Sequence, residues 1–120
     1  MTEARLALGQ WGEDQAVQWL QAQGLRIVVR NYRTPVGEVD IIARDKTTLI
    51  FVEVKTRRGN YFGTPQEAVG PRKQRQIIRA AQWYLVAEKV RGLHLRFDVI
   101  AIRYGTSPVI EHIADAFAMP

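Results

Sequence analysis

Glu53-Val54-Lys55 closes an apolar run, Leu49-Ile50-Phe51-Val52, and Asp40 sits inside a second one, Val39 to Ala43. Charged side chains seldom enter such segments without a partner or a metal. Glu53 and Lys55 are two residues apart, so a strand turns both toward one face. Asp40 is expected to share its face with Glu38 and Ile42 on the neighbouring strand, which in a hairpin makes Asp40 and Glu53 close cross-strand neighbours. Two carboxylates at that separation repel, and a cation removes the cost. With the Val54 carbonyl and water they offer the all-oxygen shell that Mg²⁺ or Mn²⁺ prefers. Such a metal activates water and offsets charge on a phosphate, while Lys55 orients the water or stabilises the developing anion. The competing reading is a plain ion pair of Lys55 with Asp40 or Glu53.

A helix over residues 4–23, ended by Gly24, brings a further acid. Its apolar stripe runs Gly9, Ala16, Val17 and Leu20, and Glu13 falls on it. If this helix packs on the sheet that carries the acidic pair, Glu13 reaches the site as an outer ligand or water holder. Strands are expected over 25–33, 38–44 and 48–57, the last two as a hairpin across Asp45-Lys46-Thr47. Residues 58–70 read as a loop, and Pro71 suits the first turn of a helix that ends near Arg91. Its stripe is Ile77, Ala80, Ala81, Tyr84 and Leu85. A last strand over 95–104 places Leu95, Phe97, Val99 and Ala101 opposite Ile100 and Ile102. Residues 109–117 are ambiguous between a strand and a helical end. The order α-β-β-β-α-β predicts a single α/β domain over residues 1–120, with a mixed central sheet flanked by helices.

The chain has 120 residues and a net charge of +5. Val54 to Arg79 holds seven basic residues (Lys55, Arg57, Arg58, Arg72, Lys73, Arg75 and Arg79) against Glu67, a net +6, so the remainder nets −1. Positive charge therefore follows the candidate site directly, and a polyanion such as nucleic acid is the expected partner. Lys73 lies in the first turn of the second helix, where free amides and the dipole favour a phosphate. There is no cysteine, which excludes disulfides and thiolate-bound zinc. No apolar run approaches the ~20 residues of a membrane span. The N-terminus lacks the pattern of a signal peptide, so a cytoplasmic location is expected and a membrane partner is not. His94 and His112 are not spaced as a metal pair, and no phosphate-cradling glycine loop is present. Trp11, Trp19 and Trp83 suit core or interface positions. Asp98, inside the last strand, is expected to pair with Arg96 or Arg103.

Gly12-Glu13, the run Gly37 to Ala43 and Phe51-Val52-Glu53-Val54-Lys55 together resemble the PD-(D/E)XK nuclease superfamily. Within it, the chain is similar to the YraN-like (UPF0102) family of small bacterial proteins, related to archaeal Holliday-junction resolvases. Phe62-Gly63-Thr64-Pro65, Glu67-Ala68-Val69, the helix with Lys73, Ala81 and Tyr84, and Arg96-Phe97-Asp98-Val99 carry the same likeness. The Gln-x-x-x-Tyr signature of one branch is absent, since Ile78 follows Gln74 and Val86 follows Gln82 at that spacing. The resemblance implies a restriction-endonuclease-like fold and Mg²⁺-dependent endonuclease action on DNA, branched or structured DNA included. By position, Asp40 and Glu53 become the metal ligands, Lys55 the catalytic lysine and Glu13 the first-helix acid. The rival functions are a nucleic-acid-binding module without catalysis and an interaction protein of DNA processing. A second copy of the chain is a further candidate partner.

Overall fold

The structure is a computed structural model that describes residues 2–59 and 69–120. Most of the expected loop, with Phe62-Gly63-Thr64-Pro65 and Glu67-Ala68, lies outside the described residues. Helix α1 (Glu3–Ala22) begins where the Thr2 hydroxyl accepts the Arg5 amide at 3.2 Å, and it ends before Gly24 at φ +86°. Strands β1 (Arg26–Thr34), β2 (Gly37–Arg44) and β3 (Thr48–Arg57) follow as a meander. Helix α2 (Pro71–Ala87) stops about a turn before Arg91, because Lys89 at φ 52° and Gly92 at φ 76° turn the chain away. Strand β4 (His94–Arg103) then enters beside β3.

The ambiguous segment is a fifth strand, β5 (Val109–Phe117), paired antiparallel to β4. The sheet order is β1-β2-β3-β4-β5, with β3 and β4 parallel and every other pair antiparallel. The fold is thus α/β with a mixed sheet, in the order α-β-β-β-α-β-β.

The two faces bury separate cores. Under α2, Phe51, Phe97, Val99 and Val39 meet Ile77, Ala80, Ala81 and Tyr84. Phe51 stacks on Phe97 at 5.4 Å and meets Tyr84 edge-on. Under α1, Ile41, Ile50, Val52, Ile100 and Ile102 meet Ala16 and Leu20. β3 and β4 are apolar on both faces because they are covered on both. On α1 the buried positions are Gly12, Glu13, Ala16 and Leu20, whereas Gly9 is exposed. Gly12 is required there: a methyl group at that position would overlap the Thr56 hydroxyl, so the helix could not lie this close to β3. Gly37 is constrained similarly by the Gln76 carbonyl of α2.

Candidate functional site

The antiparallel register of β2 and β3 runs from Arg44–Leu49 to Ile41–Val52 and goes no further. Beyond it the Val54 amide donates to Asp40 Oδ2 at 2.8 Å rather than to β2 backbone. In an extended strand the amide and carbonyl of one residue face the same neighbour. The Val54 carbonyl therefore faces the gap that β2 leaves.

The irregularity comes from Asp40 itself. Val39 and Ile42 both pack under α2, while Ile41 and Ala43 pack under α1, so strict alternation slips at Asp40. Asp40 thus does not simply share the face of Glu38 and Ile42. Asn31, opposite it on β1 between the Arg30–Ile41 and Tyr32–Val39 pairs, has φ 53°, a left-handed conformation that Asn tolerates. That turn lets two consecutive side chains reach one acid: Arg30 Nε and Asn31 Nδ2 donate to Glu13 Oε1 at 2.8 and 3.1 Å. Arg30 also donates to Asp14 at 2.6 Å. A regular strand would have sent the two side chains to opposite faces.

Glu53 has the parity of Phe51, toward α2, and is only 4% exposed. Its Oε2 is buried and has no hydrogen-bond partner among the described residues. The nearest cation among them is Lys73 Nζ, reaching down from the first turn of α2 to 3.5 Å. Burial, then the hydrogen bond and charge of Asp40, push the Glu53 carboxyl up to about 8, against the pull of Lys73 and Lys55. At neutral pH this pair therefore carries a proton, a state that a divalent cation would replace. The competing ion pairs of Lys55 with Asp40 or Glu53 do not form among the described residues; Lys55 is half-buried and lines a groove with Asp40, whereas buried Glu53 is not part of that lining.

That groove is open, about 1450 Å³, on the α1 side. It is lined by Glu13, Asp40, Val54, Lys55, Arg57 and Arg58, and also by Arg5, Arg30 and Arg33, which sequence reasoning missed. The only hint was Arg30-Asn31 interrupting Ile27-Val28-Val29. Arg72, Arg75 and Arg79 are exposed on α2, the helix over the other face, so the +6 segment is divided between two sides of the sheet. Among the described residues no three acidic, imidazole or thiol side chains converge. A cation at this place would be held by Asp40, Glu53 and the Val54 carbonyl, and the orphaned Glu53 Oε2 fits that role.

Asp98 is fully buried and forms the expected pair with Arg96, through two contacts of 2.9 Å. His112 Nε2 at 2.7 Å and the Asp115 amide at 3.0 Å complete its shell. Burial alone would raise this carboxyl, but the bonds from His112, Arg96 and Asp115 outweigh it and hold it below the usual range. Trp19 Nε1 donates to His112 Nδ1 at 3.0 Å, which leaves the ring hydrogen on Nε2 facing Asp98. His112 is thus a satisfied strut between α1, β4 and β5.

Fold and site together define an α/β domain whose mixed sheet parts between its second and third strands, where Asp40 lines a groove and Glu53 lies buried beside it. A family model described as uncharacterised protein family UPF0102 matches residues 12–102. That span runs from the glycine packed on Thr56 to Ile102, next to last in β4. A UPF0102 protein of Syntrophotalea carbinolica is 60% identical over 118 residues, 98% of this chain and 96% of that protein. One of Desulfosudis oleivorans is 49% identical over 117 residues, 98% and 94% of the two chains. Another, of Geobacter sulfurreducens, is 51% identical over 114 residues, 93% and 89%. The chain belongs to the UPF0102 family.

Proposed function

We propose that this protein is a metal-dependent phosphodiesterase that cleaves DNA, branched or structured DNA included, in the manner of the PD-(D/E)XK nucleases. A cytoplasmic location accompanies that reading. One observation carries it: a buried Glu53 oxygen without a hydrogen-bond partner among the described residues, beside Asp40 and a strand edge left open at Val54. Asp40, Glu53 and the Val54 carbonyl would hold Mg²⁺ or Mn²⁺. When bound, the metal supplies an activated water and Lewis-acid stabilisation of the phosphate. Lys55 lines the groove with Asp40 and Val54 and stabilises negative charge that develops on the phosphate. Glu13, fixed by Arg30 and Asn31, lines the groove with Asp40 and orients water there.

A second reading has its own support. Lys73 already sets a positive charge 3.5 Å from Glu53, which a nucleic-acid-binding module without metal could use. Cleavage assays with Mg²⁺ or Mn²⁺ on single-stranded, duplex and four-way-junction DNA separate the two. The nuclease reading predicts metal-dependent cleavage that Lys55→Ala abolishes while DNA affinity stays, because its contribution arises in the transition state. Wild-type binding without cleavage on every substrate favours the second reading.

A further inference from the structure

We propose that Tyr104 and Arg58 form a stacking site for the base of an unpaired nucleotide at the rim of the groove. The proposal rests on the nucleic-acid reading above and narrows its substrate to DNA with single-stranded segments.

Strand parity puts the two residues on the groove side. Val54 packs under α1, so Thr56 continues that face along β3 and Arg58 follows just beyond the strand's end. Ile100 and Ile102 pack there as well, so Tyr104 continues it beyond β4. The Tyr104 amide donates to the Arg57 carbonyl at 2.8 Å, which ties its backbone to the end of β3. The Arg58 guanidinium lies over the Tyr104 ring, 4.8 Å from its centre. Trp11 braces the same ring edge-on at 4.9 Å, in the helical turn that Gly12 allows to approach Thr56. The tyrosine is nonetheless 46% exposed.

A surface cation–π pair alone is weak and needs neither a brace nor a basic flank. Here the ring is oriented from two sides, and Arg5, Arg33 and Arg57 line the same groove as Arg58. A ring and guanidinium at the edge of a positive groove take a base on the stack and its phosphate on the flanking arginines. Arg58 is three residues beyond Lys55, so the stack lies roughly 10 Å from it along the strand. Bases inside a duplex are already stacked and cannot reach such a site. A single strand, a flap or an unpaired junction arm can.

The test uses single-stranded DNA containing 2-aminopurine and the same sequence as a duplex, both in EDTA, so that binding is read apart from cleavage. Wild-type protein should quench the single-stranded probe. Tyr104→Ala should weaken single-strand binding about tenfold, the magnitude of one lost base–aromatic stack, and leave duplex binding within about twofold. Tyr104→Phe should retain the quench. Unchanged single-strand affinity in Tyr104→Ala, with unchanged thermal unfolding, overturns the stacking site while leaving the nucleic-acid reading intact. Equal losses on both probes overturn it too. If the wild-type protein binds neither probe, the underlying reading fails first.

Discussion

Replacing Glu53 with Gln should stabilise the metal-free protein above neutral pH, although it removes a charge that a catalytic reading requires. The folded carboxyl is raised from 4.5 to about 8. The unfolded carboxyl ionises near its ordinary value. Between those two points the folded state holds a proton that the unfolded state has lost. The associated stability is fully present below about 4.5 and falls as pH rises toward 8, by about 1.4 kcal/mol per pH unit. At pH 7.5 the loss is about 4 kcal/mol, or roughly 16 °C in Tm for a domain of this size. The neutral amide of the Glu53→Gln variant escapes it. The assay is urea unfolding of both proteins in EDTA at half-unit steps from pH 5 to 8. Asp45 and Asp98, both held low, change only below the usual carboxylate range. The variant-minus-wild-type difference should grow steadily across this range. Saturating Mn²⁺ should stabilise the wild type and leave the variant unmoved. A difference that stays flat with pH would mean that Glu53 is ionised in the folded chain, and the desolvation argument would fail.

Two further outcomes follow from the same geometry. Asp98→Ala leaves Arg96 and His112 facing a buried void and should cost about 3–5 kcal/mol in urea unfolding, with Asp98→Asn costing less; a loss under about 1 kcal/mol would show that the network holds little together. Reversing Arg57 and Arg103 to Glu should lower DNA affinity and make its salt dependence shallower by roughly two phosphate contacts, about 0.9 per contact. Reversal of Arg26 and Lys46, which line a separate hollow with Gly24 and Asp45, should have less effect on both, and equal effects would reduce the interface to net charge.

The strands around Glu53 were legible because β3 and β4 are apolar on both faces, and the two faces of β4 fall as their alternation implies. The β2–β3 hairpin was legible from the short polar turn between two apolar runs. β5 was not, because Asp115 at φ 56° breaks its period: Ile110 packs under α1, whereas Ala116, of the same parity, packs under α2 beside Phe117. Parity also failed at Asp40, where the slip opposite Asn31 aims the carboxylate at the Val54 amide. Glu13 was readable as a buried acid on the helix stripe, but its partners Arg30 and Asn31 required a left-handed residue inside a strand. Arg103 reads as remote from the site in sequence, yet the parallel pairing sets it opposite Arg57. The basic run after Lys55 was visible, whereas its division between the two sheet faces depended on where α2 packs.

Whether Asp40 and Glu53 hold a divalent cation is tested most directly by calorimetric titration of Mn²⁺ at pH 7.5. One site per chain is expected in the wild type. Binding should release close to one proton, seen as a dependence of the enthalpy on buffer, since the Glu53 proton leaves as the metal enters. Asp40→Asn and Glu53→Gln should each weaken the site about 100-fold or abolish it, with the fold retained by circular dichroism. No binding by the wild type, or unchanged affinity in both variants, would contradict the assignment of these two carboxylates as metal ligands.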